Sequence, residues 1–423
     1  MSMFRHTISI LAVTVGGLAI ASQSGAQNAV VGWHAVMESS VAGSGRKNAV
    51  ALPYYAYVDV AMYDAVTAID RRFQPFAVRV DAPGGASEDA AAASAAHDVL
   101  VHYFPSQATT LDAALANSLA SIADGQSKAD GIHVGQAVAT QWLALRSGDG
   151  LEAPLTYTPG HGPGIWEPVP TYPAPPPNTP PAPVGVWLTQ FKPFALVSAD
   201  QFLADIPPPP PLQSTAWASN FNLTKAYGEL NSTVRTAAQT EIGRFWTDDA
   251  AAQYSRAFRS LVASHGLSTA AAARLAAMYS VAASDAVTAC MNAKYHFAFW
   301  RPYTAIHDAD TDANPNTVAD PNWIPLAVTP GHPEYPANHG CVTEAIMDAF
   351  TAFFETDEIP LSVTSVVTGT THSFNSFEDV VTEMDNARIY GGIHYRYSVK
   401  QGNRLGRMVT DYLLRHHFKA SDE

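Results

Sequence analysis

The chain has 423 residues, 47% hydrophobic and 15% charged, which is enough apolar material for a large buried core and enough length for two or three domains. Its formal net charge of -14 argues against nucleic acid or an anionic membrane surface as a partner, since either requires a broad basic face. With Cys290 and Cys341 as its only cysteines it is neither a disulfide scaffold nor a Cys-ligated zinc protein, although one bridge is open to it in an oxidising compartment.

Residues 1–26 read as a secretory signal peptide, because Arg5 precedes an uncharged apolar run from Ile8 to Ala21 and small residues follow in "SQSGAQ". That run is shorter than the ~20 residues of a spanning helix, and no later segment reads as transmembrane. The mature protein is therefore expected to begin near Gln27 and to be periplasmic or secreted. Residues 27–150 form an N-terminal helical region, with apolar spacings of three and four in "AAAASAAHDVLVHYF" and "TLDAALANSLASIA". Residues 151–215 hold 18 of the 30 prolines and are expected to be an extended connection. Helical text resumes in a C-terminal region, 216–423, with "STVRTAAQTEIGRFW" and then a long helix opening at Ser268 as N-cap and carrying Lys294 near its C-terminal end. We find no convincing strand alternation or hairpin signal and no repeat at solenoid periods. The expected fold is all-α and built from helical bundles.

Three stretches of this last region concentrate basic residues in apolar surroundings. In "KYHFAFWRP", Lys294 and Arg301 lie seven apart, two turns along one face if the helix continues. In "GHPEYPANHGCVTEAIMDAFTAFFE", Pro336 and Asn338 precede an apolar helix expected from near Cys341, which puts His339 at a helix N-terminus, a natural seat for an anion. In "SFEDVVTEMDNARIYGGIHYRYS", Ser376 and Asp379 have capping-box spacing and Gly391–Gly392 end the helix. Arg388 then falls in the last turn, where a cation is favoured, and the two glycines let the chain aim His394 back into a pocket. Each stretch alone has a structural explanation: snorkelling cations, a helix cap, a C-terminal arginine. The acidic alternation of "DADTDANPN" from Asp308 suggests a calcium loop, but Ala313 and Ala319 occupy the positions of the turn glycine and the bidentate glutamate, so a solvated loop is expected.

Taken in order, the three basic stretches resemble the vanadium-dependent haloperoxidases and the related type 2 phosphatidic acid phosphatases. The family pattern K-x-x-x-x-x-x-R-P is matched by Lys294, Arg301 and Pro302, P-S-G-H by Pro336 and His339, and S-R-x-x-x-x-x-H by Arg388 and His394. Ala337, Asn338 and Ala387 depart from these patterns. "VAMYDAVTAID", "FWRPYTAI" and "YPANHGCVTEA" resemble the secreted bacterial branch, so the likeness covers most of the mature chain.

The resemblance implies a helical-bundle fold, vanadate as cofactor, and hydrogen peroxide and halide as substrates. Lys294, Arg301, Asn338 and Arg388 would bind the oxyanion, and His394 would bond to vanadium on the axial line. His339 would act as general acid and base, and Lys294 would also polarise bound peroxide toward halide. His332 takes the place of the extra histidine of bromide-oxidising members, a halide-site candidate that favours bromide. Vanadate and phosphate are both tetrahedral oxyanions, so the same residues imply a phosphomonoesterase as the alternative, with His394 as the nucleophile that becomes a phosphohistidine. Loss of the motif serine at Ala337 also leaves open a non-catalytic oxyanion-binding envelope protein. A homodimer is compatible with the sequence. Cys290, one turn before Lys294, and Cys341, two residues after His339, would bridge two motifs if the fold brings them together.

Overall fold

Alanine sets the geometry at the centre of the molecule. In the computed structural model, which describes residues 28–170 and 182–421, the helix opened by Ser268 runs from Thr269 to Phe297, and its small side chains let neighbouring helices approach closely on every side. The Ser268 hydroxyl accepts the Ala271 amide at 3.3 Å, and the helix stops where Ala298 turns left-handed (φ 47°). The expected signal segment and the proline run at 171–181 lie outside the described residues.

The first group of helices is α1 (Ala29–Gly43), α2 (Leu52–Asp70), α3 (Glu88–Tyr103), α4 (Ala108–Ala120) and α5 (Gln126–Leu145). Between 146 and 214 the described residues hold only short 3-10 turns, at Val186–Thr189 and Leu203–Asp205. Then come α6 (Thr215–Gly228), α7 (Ala237–Phe245), α8 (Ala250–His265), α9 (Thr269–Phe297), α10 (Pro302–His307), α11 (Asn338–Phe354), α12 (Phe377–Tyr390) and α13 (Arg396–His416). One antiparallel hairpin separates α11 from α12: β1 (Leu361–Ser365) pairs with β2 (Thr370–Phe374), from Leu361 opposite Phe374 to Ser365 opposite Thr370. Its inward Leu361, Val363 and Ser365 alternate with Ser362 and Thr364, a pattern too short to register as a strand signal in the sequence.

Two bundles pack against each other through α2 and α9, whose side chains are buried on almost all sides. They repeat one plan. The pentapeptide Asp-Ala-Val-Thr-Ala occurs at Asp64 on α2 and at Asp285 on α9. Asp64 accepts the backbone amides of Phe76, Ala77 and Val78, and Asp285 those of Phe194, Ala195 and Leu196. The caps of α1 and α8 match as well, with Asn28 and Asp249 each accepting two first-turn amides. His34 and Ser255, 221 residues apart at corresponding places of α1 and α8, meet at 3.3 Å.

The helix pairs α3–α5 and α11–α13 also correspond. Gly131 and Gly135 lie against the carbonyls of Ser87 and Ala91, as Gly402 and Gly406 lie against those of Ala337 and Cys341. A Cβ on any of these four glycines would come within 2.4 to 2.5 Å of its carbonyl, so each pair is a backbone-to-backbone contact only glycine permits. The period of this duplication is far longer than that of a solenoid repeat, which is why a search at short periods passes over it.

Candidate functional site: a buried cation cluster with two histidines

The second bundle has groups that the first lacks, and the chain breaks that surround them explain how they converge. Lys294 and Arg301 do not share a helix, contrary to the expected two-turn spacing. After Ala298 the chain runs extended against residues 164–166, with Trp166 donating to the Ala298 carbonyl and Trp300 to that of Gly164. Arg301 then becomes the N-cap of α10, with Pro302 as its first residue. Phe299, Trp300, Trp217 and Tyr395 pack ring against ring beside Lys294 and Arg301 and keep water out.

Lys294, Arg301 and Arg388 are all buried. Lys294 Nζ donates to the carbonyls of Pro333 and Glu334 at 3.1 and 2.9 Å, with one N–H to spare. Arg301 donates through Nε to the His332 carbonyl at 2.9 Å and through one terminal nitrogen to the Ile393 carbonyl at 2.8 Å, and its other terminal nitrogen lies 3.0 Å from His332 Nδ1. Arg388, in the last turn of α12, gives one terminal N–H to the Trp246 carbonyl at 2.6 Å, while its Nε is buried without a partner. Burial pushes Lys294 down to about 8, Arg301 to about 10 and Arg388 to about 9, and repulsion from Arg301 adds to the shift of the other two. All three stay largely charged near neutrality.

His394 follows the Gly391–Gly392 turn and is buried. Its Nδ1 lies 2.8 Å from Glu334 Oε1, and its Nε2 lies 3.3 Å from Arg301. His339, the second residue of α11, is only partly covered. Burial and the neighbouring cations hold both imidazoles well below their usual range, so both are neutral; Arg301 weighs most on His394 and Arg388 on His339. Asn338 is buried with its Oδ1 unpartnered. Ala337 is the N-cap of α11 and makes no side-chain cap, so no side chain at that position competes for the first-turn amides; it packs on Ile389 and Val399.

The sequence places His332 on a loop, and the structure buries it against Arg301, with its pKa well below the usual range through burial and then Lys294 and Arg301. Glu334 was missed altogether. It is buried beneath the cations, and nothing in the spacing marks it, because it lies within the segment leading to His339 and belongs to no basic stretch. Cys290 and Cys341 are buried and free, and burial followed by the neighbouring Cys290 pushes the Cys341 thiol well up, which keeps it unreactive. In the Asp308–Asn316 loop the Asp312 carboxylate is taken up by Trp217, Asn314 and Thr317. The large open cleft of about 610 Å³, lined by Thr67, Arg71, Phe73 and Arg79, shares no residue with the site.

The chemistry of the donor set fits an oxyanion. Among the described residues three buried cations face one buried carboxyl, Glu334, which burial pushes up to about 7, leaving positive charge that an anion would neutralise. The unpartnered Arg388 Nε and the uncapped end of α11 are donors still to be satisfied. This is a helical-bundle protein with a buried cluster of cations and histidines.

Residues 274–423 match the family described as the VCPO second helical-bundle domain. A vanadium chloroperoxidase from Curvularia inaequalis is 26% identical over 265 residues, 52% of this chain and 42% of that protein, so the match spans less than half the relative's length. The crystal structure of a bacterial vanadium-dependent iodoperoxidase aligns with a TM-score of 0.74 at 21% identity, covering 93% of this chain and 97% of that one. A holo bacterial vanadium-dependent chloroperoxidase aligns with a TM-score of 0.69 at 14% identity, over 87% and 92%. The chain has the vanadium haloperoxidase fold, and its residues 274–423 match that superfamily's second helical-bundle domain.

Proposed function

We propose that the protein is a vanadate-dependent haloperoxidase that oxidises halide, with bromide favoured, using hydrogen peroxide. One observation carries the reading: three buried cations gather around a buried histidine, His394, whose Nε2 is bare when its Nδ1 donates to Glu334. Bound vanadate supplies a Lewis-acidic centre at which peroxide becomes an electrophile toward halide.

The chain's own groups do the rest. Lys294, Arg301 and Arg388 hold the oxyanion's oxygens and offset its charge, the arginines through planar forks and Lys294 through its spare N–H. The amide of Asn338 stands in for the motif serine that Ala337 lacks. His394 would hold the vanadium through Nε2. His339, neutral and partly exposed, takes a proton from incoming peroxide and returns it to the departing oxygen. His332, held by Arg301, borders the pocket as the halide-site residue.

The same bare Nε2 suits attack on phosphorus, so a phosphomonoesterase is the second reading. Purified protein assayed with orthovanadate, peroxide and bromide, beside hydrolysis of a chromogenic phosphate ester without vanadate, separates the two. Bromination that requires vanadate is the expected result; ester hydrolysis that depends on His394 without any bromination overturns it. We also propose export, supported by Arg5 and the apolar run to Ala21. N-terminal sequencing of the protein from its native compartment should begin near Gln27, and an intact Met1 there overturns this.

A further inference from the structure

Two of the groups facing the Glu334 carboxyl are donors, and the third is a ring nitrogen of His394. His394 Nδ1 lies 2.8 Å and the Tyr395 backbone N–H 3.1 Å from Oε1, and the Ser398 hydroxyl donates to Oε2 at 2.5 Å. Two of its three partners, the Tyr395 N–H and the Ser398 hydroxyl, are donors, which favours the ionised carboxylate over the neutral acid. Against an ionised Glu334 the His394 ring donates from Nδ1, which leaves Nε2 to accept from Arg301 at 3.3 Å.

The backbone of the same residue joins the other half of the cluster. The Glu334 N–H donates to the Phe299 carbonyl at 2.9 Å, in the turn between α9 and α10, and the Glu334 and Pro333 carbonyls hold Lys294 Nζ. Tyr395 and Ser398 lie at the N-terminal end of α13. Glu334 thus ties together the lysine's turn, the segment leading to His339 and the helix that follows His394.

We propose that Glu334 is a positioning residue: its carboxylate fixes the His394 tautomer and aims a bare, electron-rich Nε2 into the oxyanion pocket, while its carbonyl keeps Lys294 in the same frame. This rests on the oxyanion-site reading above. A carboxylate behind a ligating imidazole orients the ring and raises its basicity, and removing such a partner typically weakens binding by about 10 to 100-fold.

The test uses Glu334→Gln. The amide oxygen can still accept from His394 and Tyr395, and its NH2 can donate to the Ser398 hydroxyl, so shape and hydrogen bonds survive while the charge is lost. Orthovanadate binding by the full-length protein should weaken by about 10 to 100-fold, with a melting temperature close to that of wild type. In wild-type protein without vanadate, 15N spectra of the His394 ring should show Nδ1 protonated and Nε2 bare. A wild-type spectrum with the proton on Nε2, or Glu334→Gln binding orthovanadate as tightly as wild type, overturns the inference. The wild-type spectrum needs no variant, so the inference remains open to refutation if Glu334→Gln fails to fold. If wild-type protein binds no orthovanadate, the oxyanion reading itself fails, and the nitrogen spectrum still judges the Glu334–His394 pair separately.

Discussion

His394 has both ring nitrogens held by protein groups, whereas His339 is partly exposed at the first turn of α11, and this asymmetry divides their labour. His394→Ala removes the axial nitrogen and should abolish orthovanadate binding in a calorimetric titration. His339→Ala should leave that affinity within about threefold and lower bromide oxidation by roughly 10² to 10⁴, the usual worth of a positioned acid–base group. Both variants binding like wild type would show the axial assignment to be wrong. Arg388 is the third residue to test, because its buried Nε has no protein partner. Arg388→Lys keeps a cation but loses the fork, and should weaken orthovanadate binding by about tenfold while leaving the fold intact, as read by circular dichroism beside the titration.

At the scale of elements, α11, which carries His339, and α13, which follows His394, approach closely, and Gly402 and Gly406 permit it. A Cβ at Gly406 would lie 2.4 Å from the Cys341 carbonyl, and one at Gly135 would lie 2.4 Å from that of Ala91. Gly406→Ala and Gly135→Ala should each cost roughly 1–3 kcal/mol by overpacking. Only Gly406→Ala, in the second bundle, should also weaken orthovanadate binding; equal effects of the two on binding would count against that bundle as the site's sole frame.

The same helices carry a pH effect. Glu344, paired with Arg407, is pushed up to about 8, mainly by burial, and Asp348 and Asp385 to about 6, also mainly by burial. A carboxyl whose folded pKa exceeds its unfolded one binds its proton more tightly when folded, so its contribution is full at low pH and is lost as pH rises through the folded value. The site histidines, held below their usual range, act in the opposite sense below about pH 6.5, so the melting temperature should fall from about pH 7 to about pH 9, where Glu344 titrates, and Glu344→Gln should flatten that slope. A slope of the opposite sign excludes this cluster as the main titrating element.

For the whole molecule, an anion bound only by the folded state raises stability by mass action. Orthovanadate at about 100 times its dissociation constant adds about 2.7 kcal/mol, which for a chain of this length is a melting shift of about 3 °C. No shift at saturating orthovanadate would leave the three cations without their expected counter-ion. The buried Ser255–His34–Asp59 chain, with His34 Nε2 2.8 Å from Asp59, resembles a nucleophilic triad in connectivity, but all three side chains are fully buried between the bundles and serve as packing.

Local chemistry made much of this protein legible from its sequence. Alanine-rich runs, the Ser268 and Ser376 caps and the two glycines after Tyr390 act within a turn or two of chain, so they reported α9 and α12 and placed Lys294, Arg388 and His394 near helix ends. The tertiary structure alone decided what depends on contacts between distant segments. The turn at Ala298 carries Arg301 off the helix of Lys294, the burial of His332 comes from its contact with Arg301, and Glu334 meets His394 across 60 residues of chain. The bundle duplication was hidden for a related reason. Apart from the pentapeptide shared by α2 and α9, it persists in single capping side chains and four glycines that fit against a backbone far away in sequence, and no local pattern reports that fit.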